Sequence, residues 1–228
     1  MATVMLRKGF AAIGLVALAG LANAHGDVAP QPVNTDALPD VGEGWLTENP
    51  YRAETAGEEV WKTAIEIGSS GYNQNCARCH GLGGVSGGLA PDLRVLEAAE
   101  YGDEWYAERF QHGYTQNGTT KMPAFGELLG QKAAWAIRTY VETRPADGAL
   151  DPHSDRLKEI RDQLAAGEVG DAEALRDELS AIASEVETAS GAPIADSVAY
   201  EAALVLSDTP ASWKQAAETL TIGLSAAQ

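Results

Sequence analysis

Cys76-Ala77-Arg78-Cys79-His80 constrains this chain more than any other stretch. Two thiols three residues apart can reach the two vinyl groups on one edge of a porphyrin and form thioethers. The histidine that follows then lies under the iron and offers it a ring nitrogen. A C-x-x-C-H run reads as covalent haem attachment. The competing readings each lack something. A zinc site needs a further Cys or His pair, and Cys76 and Cys79 are the only two cysteines. A thioredoxin-like dithiol needs a βαβ setting, and none is visible. A plain disulfide leaves His80 without a purpose.

The start of the chain supplies the compartment that such chemistry needs. Arg7 and Lys8 precede an uncharged stretch in which Phe10, Ile13, Leu15, Val16, Leu18 and Leu21 are apolar, and Ala22-Asn23-Ala24 offers small residues for a peptidase. This is the pattern of an export signal, with cleavage expected after Ala24. The apolar stretch is short for a spanning helix, which takes about 20 residues. The mature chain is therefore expected to be a periplasmic protein that does not span the membrane. With Arg7 and Lys8 removed it keeps 14 basic and 33 acidic residues, a formal charge of −19. That charge excludes a nucleic-acid binder and predicts a carrier whose partner tolerates or attracts negative charge.

Hydrophobic periodicity predicts an all-α protein. Residues 25–57 are rich in Pro, Gly, Asn and Asp and read as an extended arm. Residues 58–72 read as a helix, with Trp61, Ile65, Gly68 and Tyr72 on one face. The glycines at 81, 83, 84, 87 and 88 predict a loop. Residues 103–111 read as a short helix closed by Gly113, and 114–125 as a loop. A further helix begins at Leu128 or Gly130 and runs to Thr143, with Ala133, Ala136, Ile137 and Tyr140 inward and Pro145 stopping it. No period-two pattern is found, so no strand is expected.

From residue 147 the character changes. Aromatic residues become scarce, and 15 acidic residues face five basic ones after Gly148. Two helices split by Gly167 are expected, one carrying Leu157, Ile160 and Leu164 and the other Leu175, Leu179, Ile182 and Val186. Two more are expected over residues 194–206 and from Pro210 to Leu224, with Ser154, Asp171 and Thr209 as N-caps. The first two stripes are expected to bury against each other without completing the haem core. The organisation is thus a signal peptide at 1–24, the arm at 25–57, a haem domain at 58–146 and an acidic helical extension at 147–228.

A second axial ligand is sought next. Met122 is the only methionine left after signal removal; it lies 42 residues beyond His80 and precedes Pro123, which keeps it extended. A thioether there gives the His/Met pair that raises the potential of haem iron. His25, His112 and His153 are weaker candidates. A metal-bound histidine usually donates its second N–H to an oxygen, and a carbonyl around Pro91 is the expected acceptor. Arg94, Tyr101, Trp105 and Arg109 are candidates to meet the haem propionates. No catalytic acid–base or nucleophilic arrangement is discernible, and the carboxylates read as surface.

Together, Gly68-x3-Tyr72-x3-Cys76-x2-Cys79-His80, Ala90-Pro91-Asp92-Leu93, Met122-Pro123 and a last helix with Trp135 and Tyr140 resemble a class I cytochrome c. The arm His25-Gly26-Asp27-Val28, the run from Tyr72 to Leu82 and Trp135-Ala136-Ile137-Arg138 resemble, more narrowly, the PedF-type cytochromes. This resemblance covers residues 26–144. It implies a first and last helix crossing at Gly68, one haem c held by Cys76 and Cys79, and iron ligation by His80 and Met122. It also implies that electrons arrive from a quinoprotein alcohol dehydrogenase, which uses pyrroloquinoline quinone, and leave toward a downstream cytochrome or terminal oxidase. The expected role is that of an electron-transfer protein rather than an enzyme. A docking module for another periplasmic redox enzyme, or a haem sensor with a displaceable sixth ligand, remain open as alternatives.

Overall fold

Residues 30–226 are described by the structure, a computed structural model. The expected signal peptide, its cleavage site and His25 lie outside the described residues. Two helices form the frame: α2 (Glu58–Asn75) and α5 (Gly126–Glu142). Glu58 and Glu59 in the first turn of α2 suit the positive end of its dipole. Its buried face is Trp61, Ala64, Ile65, Gly68, Gly71 and Tyr72. In α5, Gly130 sits at φ 77°, so the regular helix begins after it. Every residue from Ala133 to Glu142 is then buried, the signature of a helix enclosed on all sides. The two helices cross where a Cβ on Gly68 would run into the Ala136 carbonyl.

Before α2, residues 30–57 turn repeatedly and lie against this frame. They include a single helical turn, α1 (Ala53–Ala56). Leu38 and Tyr51 are buried, Lys132 Nζ donates to the Leu38 carbonyl (2.7 Å), and the Leu46 N–H donates to Gln131 Oε1 (2.7 Å). After α2 come one turn of helix, α3 (Ala77–His80), a 3₁₀ turn at Leu82–Gly84, and α4 (Glu100–His112), which packs on α5.

Residues 114–125 correct the expectation of a featureless loop. Strands β1 (Tyr114–Gln116) and β2 (Thr119–Met122) pair antiparallel. Asn117 and Gly118 join them with φ values of 51° and 74°, the positive pair that a two-residue hairpin turn requires.

The extension contains α6 (Ser154–Ala166), α7 (Ala172–Glu185), α8 (Val198–Val205) and α9 (Pro210–Ala226). Asp171 and Thr209 cap as expected, accepting from the N–H groups of Ala174 (3.0 Å) and Ser212 (3.2 Å). Ser154 makes no cap bond, because a 3₁₀ turn at Asp151–His153 runs straight into α6. Ser197 caps α8 instead, accepting from the Tyr200 N–H. The two stripes do not simply face each other: α6 packs on α9, α7 packs on α8, and α8 packs on α9.

The extension is also joined to the first domain more closely than expected. The Tyr200 ring meets Trp61 edge-on at 5.8 Å. Arg144 pairs with the buried Asp196 (2.7 Å), whose N–H donates to the Thr143 carbonyl (2.8 Å). The N–H of Ala98 donates to the Ser190 carbonyl (3.1 Å), and that of Ala146 donates to Glu187 (2.9 Å). No helix among the described residues is long and apolar enough to cross a membrane.

Candidate cofactor site

The cysteine motif is a preset turn. Cys76 ends α2 at φ −115° and ψ −38°, and its carbonyl accepts from the N–H groups of both Cys79 and His80 (3.0 Å each). Gly81 closes the turn at φ 81°, where a Cβ would strike the Val85 carbonyl. The Tyr72 hydroxyl donates to the Gly81 carbonyl (2.8 Å) and locks it to α2. Cys76 packs against the core while Cys79 is exposed, and neither forms a disulfide. Burial, with the neighbouring Cys79 adding, pushes the Cys76 thiol up to about 12.

His80 is buried, and its Nδ1–H donates to the Pro91 carbonyl at 2.8 Å, the acceptor expected from sequence. A carbonyl can only accept, so this bond fixes the proton on Nδ1 and leaves Nε2 with a lone pair to give. The loop presenting Pro91 is itself braced. Ser86 Oγ donates to the Ala90 carbonyl, and Arg94 grips Asp92 through Nε (3.1 Å) and Nη2 (2.7 Å).

Met122 comes to the same core from the other direction. It ends β2, is partly buried and packs against the cluster that Cys76 also touches. Gly113 makes this possible: a Cβ there would strike the Met122 carbonyl and the Ala124 nitrogen, so the 122–124 backbone lies flat on the end of α4. The Phe125 N–H then bonds the Phe110 carbonyl (2.8 Å). Behind these runs an aromatic wall, with Phe110 against Phe125 at 5.7 Å and Tyr106 against Phe110 at 5.8 Å and Trp135 at 6.3 Å. The Tyr106 hydroxyl is satisfied by the Ala134 carbonyl (2.9 Å), and burial holds its pKa well above the ordinary range.

The other candidates are placed elsewhere. His112 is exposed beside Glu108 (3.8 Å), and His153 lies 3.6 Å from Glu185. Arg109 stacks on Trp105 and Tyr114, with 5.4 Å and 5.3 Å to the ring centres. Tyr101 is exposed, whereas Arg94 is buried and already paired. Among the described residues no group of three His, Cys, Asp or Glu side chains could hold a bare metal ion.

A buried ion network was missed at the sequence level. Arg138 and Asp103, both fully buried, pair at 2.8 Å, and Arg52 bridges Asp103 and Glu142 at 2.8 Å each. Burial pushes Glu142 up, against the pull of Arg52 and Arg138. Arg138 also donates to the carbonyls of Leu96 and Glu97, so the network anchors the far end of the Pro91 loop. The available signal was Arg138 set four residues before Glu142 on the most apolar helix of the domain.

The donor set fits a haem. It provides one buried imidazole with a single free nitrogen, one thioether on the same core and two unpaired thiols a helical turn apart. Leu82 and Leu89, 78% and 76% exposed, give the adjoining loop the apolar surface that a large flat macrocycle favours. A helical domain with these features is that of a c-type cytochrome.

Comparison with known proteins agrees. The family described as cytochrome c oxidase, cbb3-type, subunit III, matches residues 63–141. Cytochrome c550 of Pseudomonas aeruginosa is 46% identical over 140 residues, covering 61% of this chain and 94% of that one. Two proteins of Pseudomonas putida match over shorter stretches. Quinohemoprotein alcohol dehydrogenase ADH IIB is 33% identical over 91 residues, 39% of this chain and 12% of that one. Quinohemoprotein alcohol dehydrogenase ADH-IIG is 30% identical over 97 residues, 42% of this chain and 12% of that one. No solved structure matches. The chain belongs to the class I cytochromes c, of the PedF type.

Proposed function

We propose that this cytochrome is a periplasmic electron carrier with one covalent haem, reduced by a pyrroloquinoline-quinone-dependent alcohol dehydrogenase and oxidised by a downstream cytochrome or terminal oxidase. In this reading Cys76 and Cys79 hold the haem through thioethers, and His80 Nε2 and the Met122 sulfur are the axial ligands. The observation that carries it is the bond from His80 Nδ1 to the Pro91 carbonyl inside the C-x-x-C-H turn. That bond orients the ring and raises the basicity of the nitrogen left free to bind the iron.

The bound haem supplies a one-electron iron couple, whose potential a His/Met pair raises. The chain supplies the rest. The Cys76–His80 turn would supply one iron ligand, and the hairpin with Pro123 would supply the other.

Residues 7–24 support export out of the cytoplasm, in keeping with a periplasmic carrier. For the donor, the support is that each of the two quinohemoprotein alcohol dehydrogenases carries, within its own chain, a stretch similar to this haem domain. A separate cytochrome of the same kind is suited to the same electron path. The test mixes purified protein with a quinoprotein alcohol dehydrogenase and an alcohol and follows haem reduction. Rapid, alcohol-dependent reduction is expected. No reduction by any such dehydrogenase sinks the donor assignment.

A further inference from the structure

Arg94 ties two parts of the molecule together. Its fork holds Asp92, next to the carbonyl that His80 needs, and its Nη1 reaches the Pro145 carbonyl (3.2 Å) and Asp147 (2.9 Å) where the extension begins. Its stem packs over the glycine loop, where a Cβ on Gly84 would press on Arg94 Cγ. Pro145 is in turn bridged to Thr188, and Ser190 accepts from Ala98 at the end of the same loop. The loop over residues 91–98 is therefore clamped to the extension at two points.

We propose that Arg94 is a positioning residue for the iron ligand. It holds the Pro91 carbonyl at hydrogen-bonding distance from His80 by fastening the loop to the turn at residues 145–147, and so brings the extension into control of the reduction potential. This rests on the reading of His80 as an iron ligand. A firm Nδ1–H···O bond makes the ring a stronger donor and favours ferric iron. A slackened loop lengthens the bond and raises the potential. Simple loss of a cation near the iron acts in the opposite sense and lowers it. The sign of the shift therefore separates positioning from charge.

The experiment uses the full chain with haem. The double variant Arg94→Gln/Asp92→Asn removes the clamp without changing net charge, and Arg94→Lys keeps the charge but loses the fork. Both are expected to raise the potential, shifting the ratio of oxidised to reduced protein at fixed ambient potential at least threefold toward reduced. At 59 mV per decade for one electron that is about 28 mV. Both are also expected to speed hydrogen exchange of the His80 Nδ1 proton. If the double variant does not fold, Arg94→Lys carries the test. An unchanged or lowered potential in the folded variants overturns the proposal. A native protein without His/Met spectra overturns the ligand reading instead, whatever the Arg94 variants show.

Discussion

Replacing Gly68 by alanine adds one methyl group where α2 and α5 cross. In an isolated helix this change is favourable by about 1 kcal/mol. Here the new carbon meets the Ala136 carbonyl and the Tyr140 Cβ. These are backbone and near-backbone atoms that cannot rotate aside, so the helices must part. Over-packing a close-fitted core costs about 1–3 kcal/mol, and a rigid obstacle places this site at the upper end. After the helix gain is subtracted, the variant is destabilised by about 2 kcal/mol, or ~4–8 °C in melting temperature for a chain of this size. Thermal unfolding followed by far-ultraviolet circular dichroism measures it. Gly170→Ala is the control, because a Cβ there meets open space and φ is not positive; it should stay within about 0.5 kcal/mol of native. A Gly68→Ala protein that melts at or above the native temperature would show that the crossing is not close-packed and refute the reasoning.

Met122→Ala should abolish the far-red sulfur-to-iron charge-transfer band of the ferric protein, open the iron to added ligands and lower the potential; an unchanged band excludes Met122. Cys76→Ser and Cys79→Ser should each prevent two-thioether attachment, read as altered spectra and haem extractable by acid–acetone, and native behaviour in both removes the covalent assignment. Asp92 sits below its ordinary carboxylate value, because the hydrogen bonds and charge of Arg94 outweigh the raising effect of burial. Its contribution to stability is therefore complete above the unfolded value of about 3.9 and is lost as pH falls through the lower folded value. Asp92→Asn should flatten that part of the stability–pH curve, and a curve of native shape refutes it. A chain shortened to end near residue 147 should lose roughly 2 kcal/mol or more, since Trp61 is uncovered; equal melting temperatures would show that the extension does not stabilise the first domain.

The helices were legible because their apolar residues recur at helical spacing, as with Trp61, Ile65, Gly68 and Tyr72 in α2. The candidate site was legible because its chemistry is concentrated in five consecutive residues and one methionine. The hairpin was not, because strands of three and four residues are too short to show a period of two, although Asn117-Gly118 is a hairpin signal in its own right. The buried ion network was hidden by composition: Asp103, Arg138 and Glu142 are types that usually face water, and only the tertiary fold reveals that each is neutralised by another. The seam between extension and haem domain depends on single residues such as Ser190 and Asp196, far apart in sequence from their partners, and no local pattern announces it.

That seam has a consequence for electron transfer. Trp61, which meets Tyr200 of the extension, and Cys76 lie fifteen residues apart along α2, or about 22 Å at 1.5 Å per residue. Arg144, which binds Asp196, likewise stands just past the C-terminal end of α5. These two anchors lie away from the exposed Cys79, whereas the Arg94 contacts with Pro145 and Asp147 bring the start of the extension to the loop that follows the cysteine motif. The extension's excess of acidic over basic residues adds to the field that steers a cationic partner from a distance. One route from it toward the iron ligand runs through the loop over residues 91–98, held by Arg94 at one end and by the Ala98–Ser190 bond at the other. On the proposal above, steering and tuning separate within one element: surface charge sets the rate of encounter and weakens with salt, while the Arg94–Asp92 pair that would set the potential is partly buried and is screened less. A salt series on the native protein should accordingly change the rate of reduction at low donor concentration while leaving the His80 ring-proton exchange constant, and parallel changes in the two would show that charge and clamp act as one.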